Sequence, residues 1–200
     1  GFKNLKIFEA GRVFIPGERQ GSASIPPLGE RPSDEVLADL NAGIPEQPVY
    51  FSGLFAGAEH EPMPGTQARA YDWRDALDAA RLIADVLGVE IVIAQGIHQA
   101  FHPGRTAQLR TQDGQTIGYA GELHPKLLQT ENLPERTCAF EVNFTELFAS
   151  RSGVPQASPI YGYPAATQDV ALVVDEDIPA SEVAQALRDG AGELLEDLRV

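Results

Sequence analysis

The stretch FHPGRTAQLRTQDGQTIGYAGELHP, residues 101–125, decides the fold. Two runs of strand-like alternation flank Asp113-Gly114, and turn residues stand at both outer ends. Pro and Gly at the central positions suit a type II turn, so His102-Pro103-Gly104-Arg105 is expected to be a tight corner. On the first strand Ala107, Leu109 and Thr111 share a face. On the second, Ile117, Tyr119, Gly121 and Leu123 share one. A two-residue Asp113-Gly114 turn sets Leu109 opposite Gly118 and Ile117 opposite Arg110, which mixes the faces. A three-residue loop, Gln112-Asp113-Gly114 with Gly114 left-handed, sets Leu109 opposite Ile117 and Ala107 opposite Tyr119. The second register is the one expected. It places Arg105 opposite Gly121 and His102 close to His124, so that both ends of the motif form one corner.

Outward from this hairpin the chain reads as alternating elements. Upstream, Val89 to Ile97 is strand-like, and Asp72 to Leu87 is the clearest helix. Its apolar residues Trp73, Ala76, Leu77, Ala80, Ile83, Ala84 and Leu87 recur at helical spacing, and Gly88 is placed to end it. Leu5 to Phe14 and Val49 to Ala56 are further strands, the latter apolar on both faces and so expected inside a sheet. Between them a long loop, residues 15–47, carries a short helix capped by Ser33 or Asp34 and ended near Gly43 and Pro45. Residues 57–70 form another loop. Trp73, Phe8 and Phe14 are expected in the core. Downstream, a short helix with Leu127 and Leu128 follows His124-Pro125. A strand from Cys138 to Val142 and a half-turn or helix from Phe144 to Ala149 complete the domain.

Ser150 to Tyr163 has the composition of a linker. Beyond it Asp169 to Val174 reads as a strand, Ala180 to Arg188 as a helix, and Leu194 to Val200 as the start of another strand. About 40 residues cannot bury a stable core, so this second piece is expected to be truncated. Gly1, followed almost at once by a strand, suggests a piece of a longer chain.

The bulk properties bound the function. The 200 residues carry a net charge of −14, which argues against a dominant nucleic-acid or anionic-membrane surface. The single Cys138 excludes an internal disulfide framework and a cysteine-based zinc cluster. No apolar run approaches a membrane span and no secretory signal is visible.

Reactive side chains gather at the hairpin. Three of the four histidines, His98, His102 and His124, lie in it or beside it, with Glu122 between. A metal-dependent hydrolase on these histidines is one function class to weigh. A helical frame for His98 and His102 is contradicted by Pro103-Gly104, and histidines that cap turns by bonding to backbone are the favoured reading. Arg105 and Glu122 are read as an ion pair that pins the hairpin end rather than one beside a ligand. There is no Gly-x-Ser-x-Gly elbow and no Gly-rich phosphate loop, and Cys138 is read as a buried structural thiol. From the residues alone, the chain is a mixed α/β domain, a linker and the start of a second domain, without a self-sufficient catalytic constellation.

Three longer motifs carry a resemblance: Phe8-Glu9-Ala10-Gly11-Arg12-Val13-Phe14, then residues 101–107, then Ile117-Gly118-Tyr119-Ala120-Gly121-Glu122-Leu123-His124-Pro125. In order and spacing the chain resembles the beta chain of bacterial phenylalanine–tRNA ligase, over nearly all of its 200 residues. Tyr163 to Val174 is similar to the first strand of that chain's anticodon-binding domain. The resemblance implies an α+β fold. Residues 1–150 would be a class II synthetase-like, mostly antiparallel sheet flanked by helices that has lost its active site. Residues 151–162 would be a linker, and 163–200 the truncated opening of a ferredoxin-like βαβ domain. It implies a cytoplasmic heterotetramer of two alpha and two beta chains that attaches phenylalanine to tRNA. ATP and Mg would serve the parent complex, held by the alpha chains, with no cofactor, metal or catalytic residue in this piece. His102, Pro103, Gly104, Arg105, Gly121, Glu122, His124 and Pro125 would be a structural signature, and the RNA-contacting residues stay unassigned. Gln168 departs from the Arg usual before Asp169 in the family, and the 15–47 loop has no family signature.

Overall fold

The structure, a computed structural model, describes residues 4–17, 25–154, 157 and 162–200. Part of the 15–47 loop and most of the 151–162 linker therefore lie outside the described residues. The chain divides into two units, Gly1–Pro155 and Gln156–Val200.

The first unit is built on the longest helix. Its start is fixed by a reciprocal capping box: the Asp72 carboxylate accepts from the Arg74 N–H at 2.8 Å, and the Asp75 carboxylate accepts from the Asp72 N–H at 2.8 Å. The helix runs Trp73–Leu87, with Gly88 as its C-terminal cap. Its buried stripe is Ala76, Leu77, Ala80 and Ala84. Three alanines let the helix axis approach closely to what it covers, and burying Leu77 contributes about 2 kcal/mol.

What it covers is one six-stranded antiparallel sheet. The strands are β1 (Leu5–Arg12), β2 (Val49–Ala56), β3 (Val92–Gln95), β4 (Phe101–Arg110), β5 (Thr116–Leu123) and β6 (Cys138–Asn143). Their spatial order is β1-β2-β6-β5-β4-β3. β2 lies inside the sheet, as its two apolar faces require. Under the long helix sit Phe55, Leu109, Ile117, Ala120, Cys138, Phe140 and Val142. The helices, labelled in chain order, are α1 (Asp34–Ala42), α2 (Trp73–Leu87), α3 (Pro125–Thr130) and α4 (Phe144–Ala149). The fold is thus α+β. A second, smaller cluster lies around Phe101, Leu123 and Leu128, with Tyr119, Leu54 and Ala139 against it.

The hairpin register differs from expectation in an instructive way. The tip is the three-residue loop: the Thr111 N–H donates to Gln115 O at 2.9 Å, and Gly114 takes φ +89°. One step down, the ladder shifts. Arg110 pairs with Thr116 but Leu109 pairs with Gly118, so Ile117 is an extra residue on β5. From there Ala107 pairs with Ala120, which is the register of the two-residue turn. The bulge resolves the mixing of faces. Ile117 joins Leu109 and Ala120 beneath α2, whereas Tyr119 and Leu123 face the second cluster. The four residues expected on one face therefore divide between two.

The outer end departs further. Phe101 pairs with Leu123 and Thr106 with Gly121, so His102, Pro103, Gly104 and Arg105 face Glu122 alone. These residues form a wide bulge within β4, not a type II turn, and Gly104 does not take the positive φ such a turn needs. A proline without an N–H fits a bulge, where no ladder bond is asked of it. The His124 N–H donates to Ala100 O at 2.9 Å, which sets His124 beside Ala100 rather than beside His102.

Three aromatic residues expected in the core are outside it. Trp73 is 37 % exposed, Phe8 81 % and Phe14 64 %. Trp73 is the first helical residue, one turn before the stripe meets the sheet, and the Arg74 guanidinium lies 5.2 Å from its ring centre. α2 lies over β2, β4, β5 and β6, so edge strand β1 stands at the margin of its cover.

In the second unit, α5 (Ala180–Ala191) forms over the span expected of a helix, with a short 3-10 turn at Gly192–Leu194. No strand forms at Asp169–Val174 or Leu194–Val200. A strand requires a partner for its backbone groups, and none of residues 162–200 is buried.

Candidate functional site

The sequence singled out the outer end of the hairpin, and the structure builds it around one buried carboxylate. Glu122 is 5 % exposed, on β5 between β4 and β6, directly across from Cys138. A carboxylate there must be paired. Arg105 Nη1 donates to Glu122 Oε2 at 2.8 Å, and Arg136 Nε stands 3.8 Å from the same oxygen. Arg105 reaches it from the β4 bulge. Arg136 reaches it from the loop before β6, holding a left-handed backbone of φ 60°.

Gly121 makes the close approach possible. It takes φ +152°, and a Cβ there would stand 2.1 Å from the Arg105 carbonyl oxygen. The bulge itself is tied by the Thr106 hydroxyl, which donates to His102 O at 2.6 Å.

The histidines serve the backbone. His98 Nδ1 accepts from the Ala100 N–H at 3.3 Å, His102 Nδ1 from the Gly104 N–H at 3.1 Å, and His124 Nδ1 from the Lys126 N–H at 3.1 Å. Each therefore closes a turn two residues ahead, the same local bond that makes Asx turns. For His124 this bond caps α3, whose first residue is Pro125, the position where a missing N–H costs least. With Nδ1 accepting, the ring proton sits on Nε2. Among the described residues no group of three His, Cys, Asp or Glu side chains comes together as a metal site. The hydrolase alternative on His98, His102 and His124 thus lacks its donor set.

Cys138 is buried, and its thiol pKa is pushed up to about 12, first by burial and then by the charge of Glu122. It stays a protonated thiol at neutral pH and is no nucleophile. Arg136 escaped the sequence, because its neighbourhood to Glu122 follows from the pairing of β5 with β6 and from no spacing along the chain.

The site is thus a charge lock in the frame of an antiparallel sheet, with each candidate reactive group engaged in holding that frame. What these residues define is an antiparallel sheet module whose hairpin end is held by charge and by histidine-to-backbone bonds. The family model for the phenylalanyl tRNA synthetase beta chain CLM domain matches residues 1–144. The phenylalanine–tRNA ligase beta subunits of Leifsonia xyli and Streptomyces avermitilis are each 45 % identical to this chain across 100 % of its length. That of Thermobifida fusca is 40 % identical, again across 100 % of the chain. The chain belongs to the phenylalanyl-tRNA synthetase beta chain family. It spans 24 % of the length of these relatives.

Proposed function

We propose that this chain is a non-catalytic part of the beta subunit of a phenylalanine–tRNA ligase, serving as scaffold, alpha-chain interface and tRNA support. The observation that carries the proposal is the match of relatives so named across the whole chain, joined to a hairpin whose histidines and charges are spent on structure. In this reading residues 1–150 form a class II synthetase-like module without its chemistry. Residues 151–162 are a linker, and 163–200 open a ferredoxin-like anticodon-binding domain with α5 as its helix. The parent complex has two alpha and two beta chains in the cytoplasm and joins phenylalanine to tRNA at the expense of ATP. ATP and Mg belong to the alpha chains. The signature residues His102, Pro103, Gly104, Arg105, Gly121, Glu122, His124 and Pro125 hold the hairpin end.

Reconstitution tests this. The parent beta subunit is expected to co-purify with an alpha chain and to charge tRNA with phenylalanine. This chain alone is expected to give no phenylalanine-dependent exchange of pyrophosphate into ATP. Exchange by the isolated chain would overturn the non-catalytic assignment.

A further inference from the structure

The sheet face opposite α2 carries a cavity of about 390 Å³ that the hairpin lock does not use. Its polar side chains form a row across four neighbouring strands. Glu9 on β1 pairs with Ser52 on β2, Ser52 with Glu141 on β6, and Glu141 with Tyr119 on β5. Residues paired this way share a face, with side chains within reach of one another. One step along the strands, Ile7, Leu54 and Ala139 supply an apolar floor.

One wall is aromatic. The His98 ring lies 4.7 Å from Tyr119 and 5.5 Å from Phe101, centre to centre. All three rings line the cavity. His98 is held there by its bond from the Ala100 N–H, so the wall is formed in advance of any ligand. Beyond the backbone pairing of their strands, the Glu9 and Glu141 carboxylates make no hydrogen bond or ion pair to another described residue. Both are exposed at the cavity, so neither carries a burial cost that demands an internal partner.

We propose that this cavity binds an organic cation with an apolar body, an ammonium or guanidinium group set between Glu9 and Glu141 and against the ring of Tyr119. Two carboxylates reject phosphate and carboxylate ligands, which excludes a nucleotide or an RNA backbone. A cation gains charge-assisted hydrogen bonds from both, together with the face of an aromatic ring. The apolar floor takes the ligand's hydrocarbon part. The volume is that of a small-ligand pocket. An arginine or lysine side chain and a free arylalkyl amine share this chemistry.

The test is a titration of the 15N-labelled 200-residue chain, followed by amide shifts, with four probes: benzylammonium, N-acetyl-arginine amide, benzyl alcohol and benzoate. The cations are expected to shift resonances of Glu9, Ser52, Tyr119 and Glu141. Benzyl alcohol is expected to bind about tenfold more weakly than benzylammonium, and benzoate not at all. The tighter cation names the source, a protein side chain or a free amine. Replacing Glu9→Gln together with Glu141→Gln is expected to weaken the cations by about tenfold with the melting curve unchanged, since both carboxylates are exposed. Equal binding of alcohol and cation, or no shift from either cation, overturns the proposal. That comparison runs on the unaltered chain and stands whether or not the double variant folds.

Discussion

Glu122 is the residue on which the hairpin end depends. A carboxylate at this depth is tolerable only while a cation answers it, and two arginines share that task unequally, at 2.8 and 3.8 Å. Arg105→Ala is expected to destabilise the chain by about 2 kcal/mol, because the better hydrogen bond is lost and a buried charge is left with its weaker partner. Arg136→Ala is expected to cost less. Removing both is expected to cost more than the sum, since only then does the carboxylate stand alone. Urea denaturation of the four proteins in this cycle measures the coupling, and strict additivity would show that the two arginines act independently. Gly121 offers a second test at the same scale. Its φ and the 2.1 Å approach of the Arg105 carbonyl leave no room for a side chain, so Gly121→Ala is expected to cost about 3 kcal/mol by the same measurement.

At the scale of elements, the start of α2 is tied by Asp75, which answers the Asp72 N–H within the capping box and the Arg69 guanidinium at 2.7 and 3.0 Å. The Arg69 hydrogen bonds hold the Asp75 carboxyl below the usual carboxylate range, against the opposing effect of burial. A carboxyl with a folded pKa below its unfolded one binds its proton more readily in the unfolded chain. Its contribution is therefore complete above the ordinary carboxylate pKa and is lost as pH falls from there through the folded value. Stability of the native chain is expected to fall over that acid window more steeply than in Asp75→Asn, by thermal melts across pH. Parallel curves would remove Asp75 from the account.

The same scale explains what was legible in the sequence. β2, α2 with its closing Gly88, and the three-residue tip are set by signals within a few residues of each other, and the structure has them where the spacing put them. The Asp72–Asp75 capping box that opens α2 was not read from the sequence, and Asp72 stands outside the helix. The Ile117 bulge is not local: it exists because α2 covers one face of the sheet and both Leu109 and Ile117 must reach it. Trp73 and Phe8 were misplaced for a related reason, since periodicity marks an apolar face without marking how far its partner extends. The row of Glu9, Ser52, Glu141 and Tyr119 draws on four strands spread over most of the first unit, and no short-range pattern announces it.

At the scale of the molecule, the two units differ in what can stabilise them. The first has a sheet sandwiched between α2 on one side and the Phe101–Leu123–Leu128 cluster on the other, with its central strands paired on both edges. In the second, none of residues 162–200 is buried, and Val170, Leu172, Val173 and Val174 are exposed without a strand partner. α5 spans 12 residues and its N-cap Pro179 provides no side-chain bond. A helix of that length has little stability without packing, because the cost of its nucleus is spread over few backbone bonds. Amides of β5 and β6 are therefore expected to exchange only through global unfolding, a free energy of about 5–15 kcal/mol for a domain. Amides of α5 are expected to exchange close to the unprotected rate. Hydrogen exchange of the 200-residue chain read by NMR or mass spectrometry distinguishes the two. Protection of α5 as high as that of β6 would mean that the second unit draws on a partner surface, such as a second copy of the chain, and protection that rises with protein concentration would identify that copy as the source.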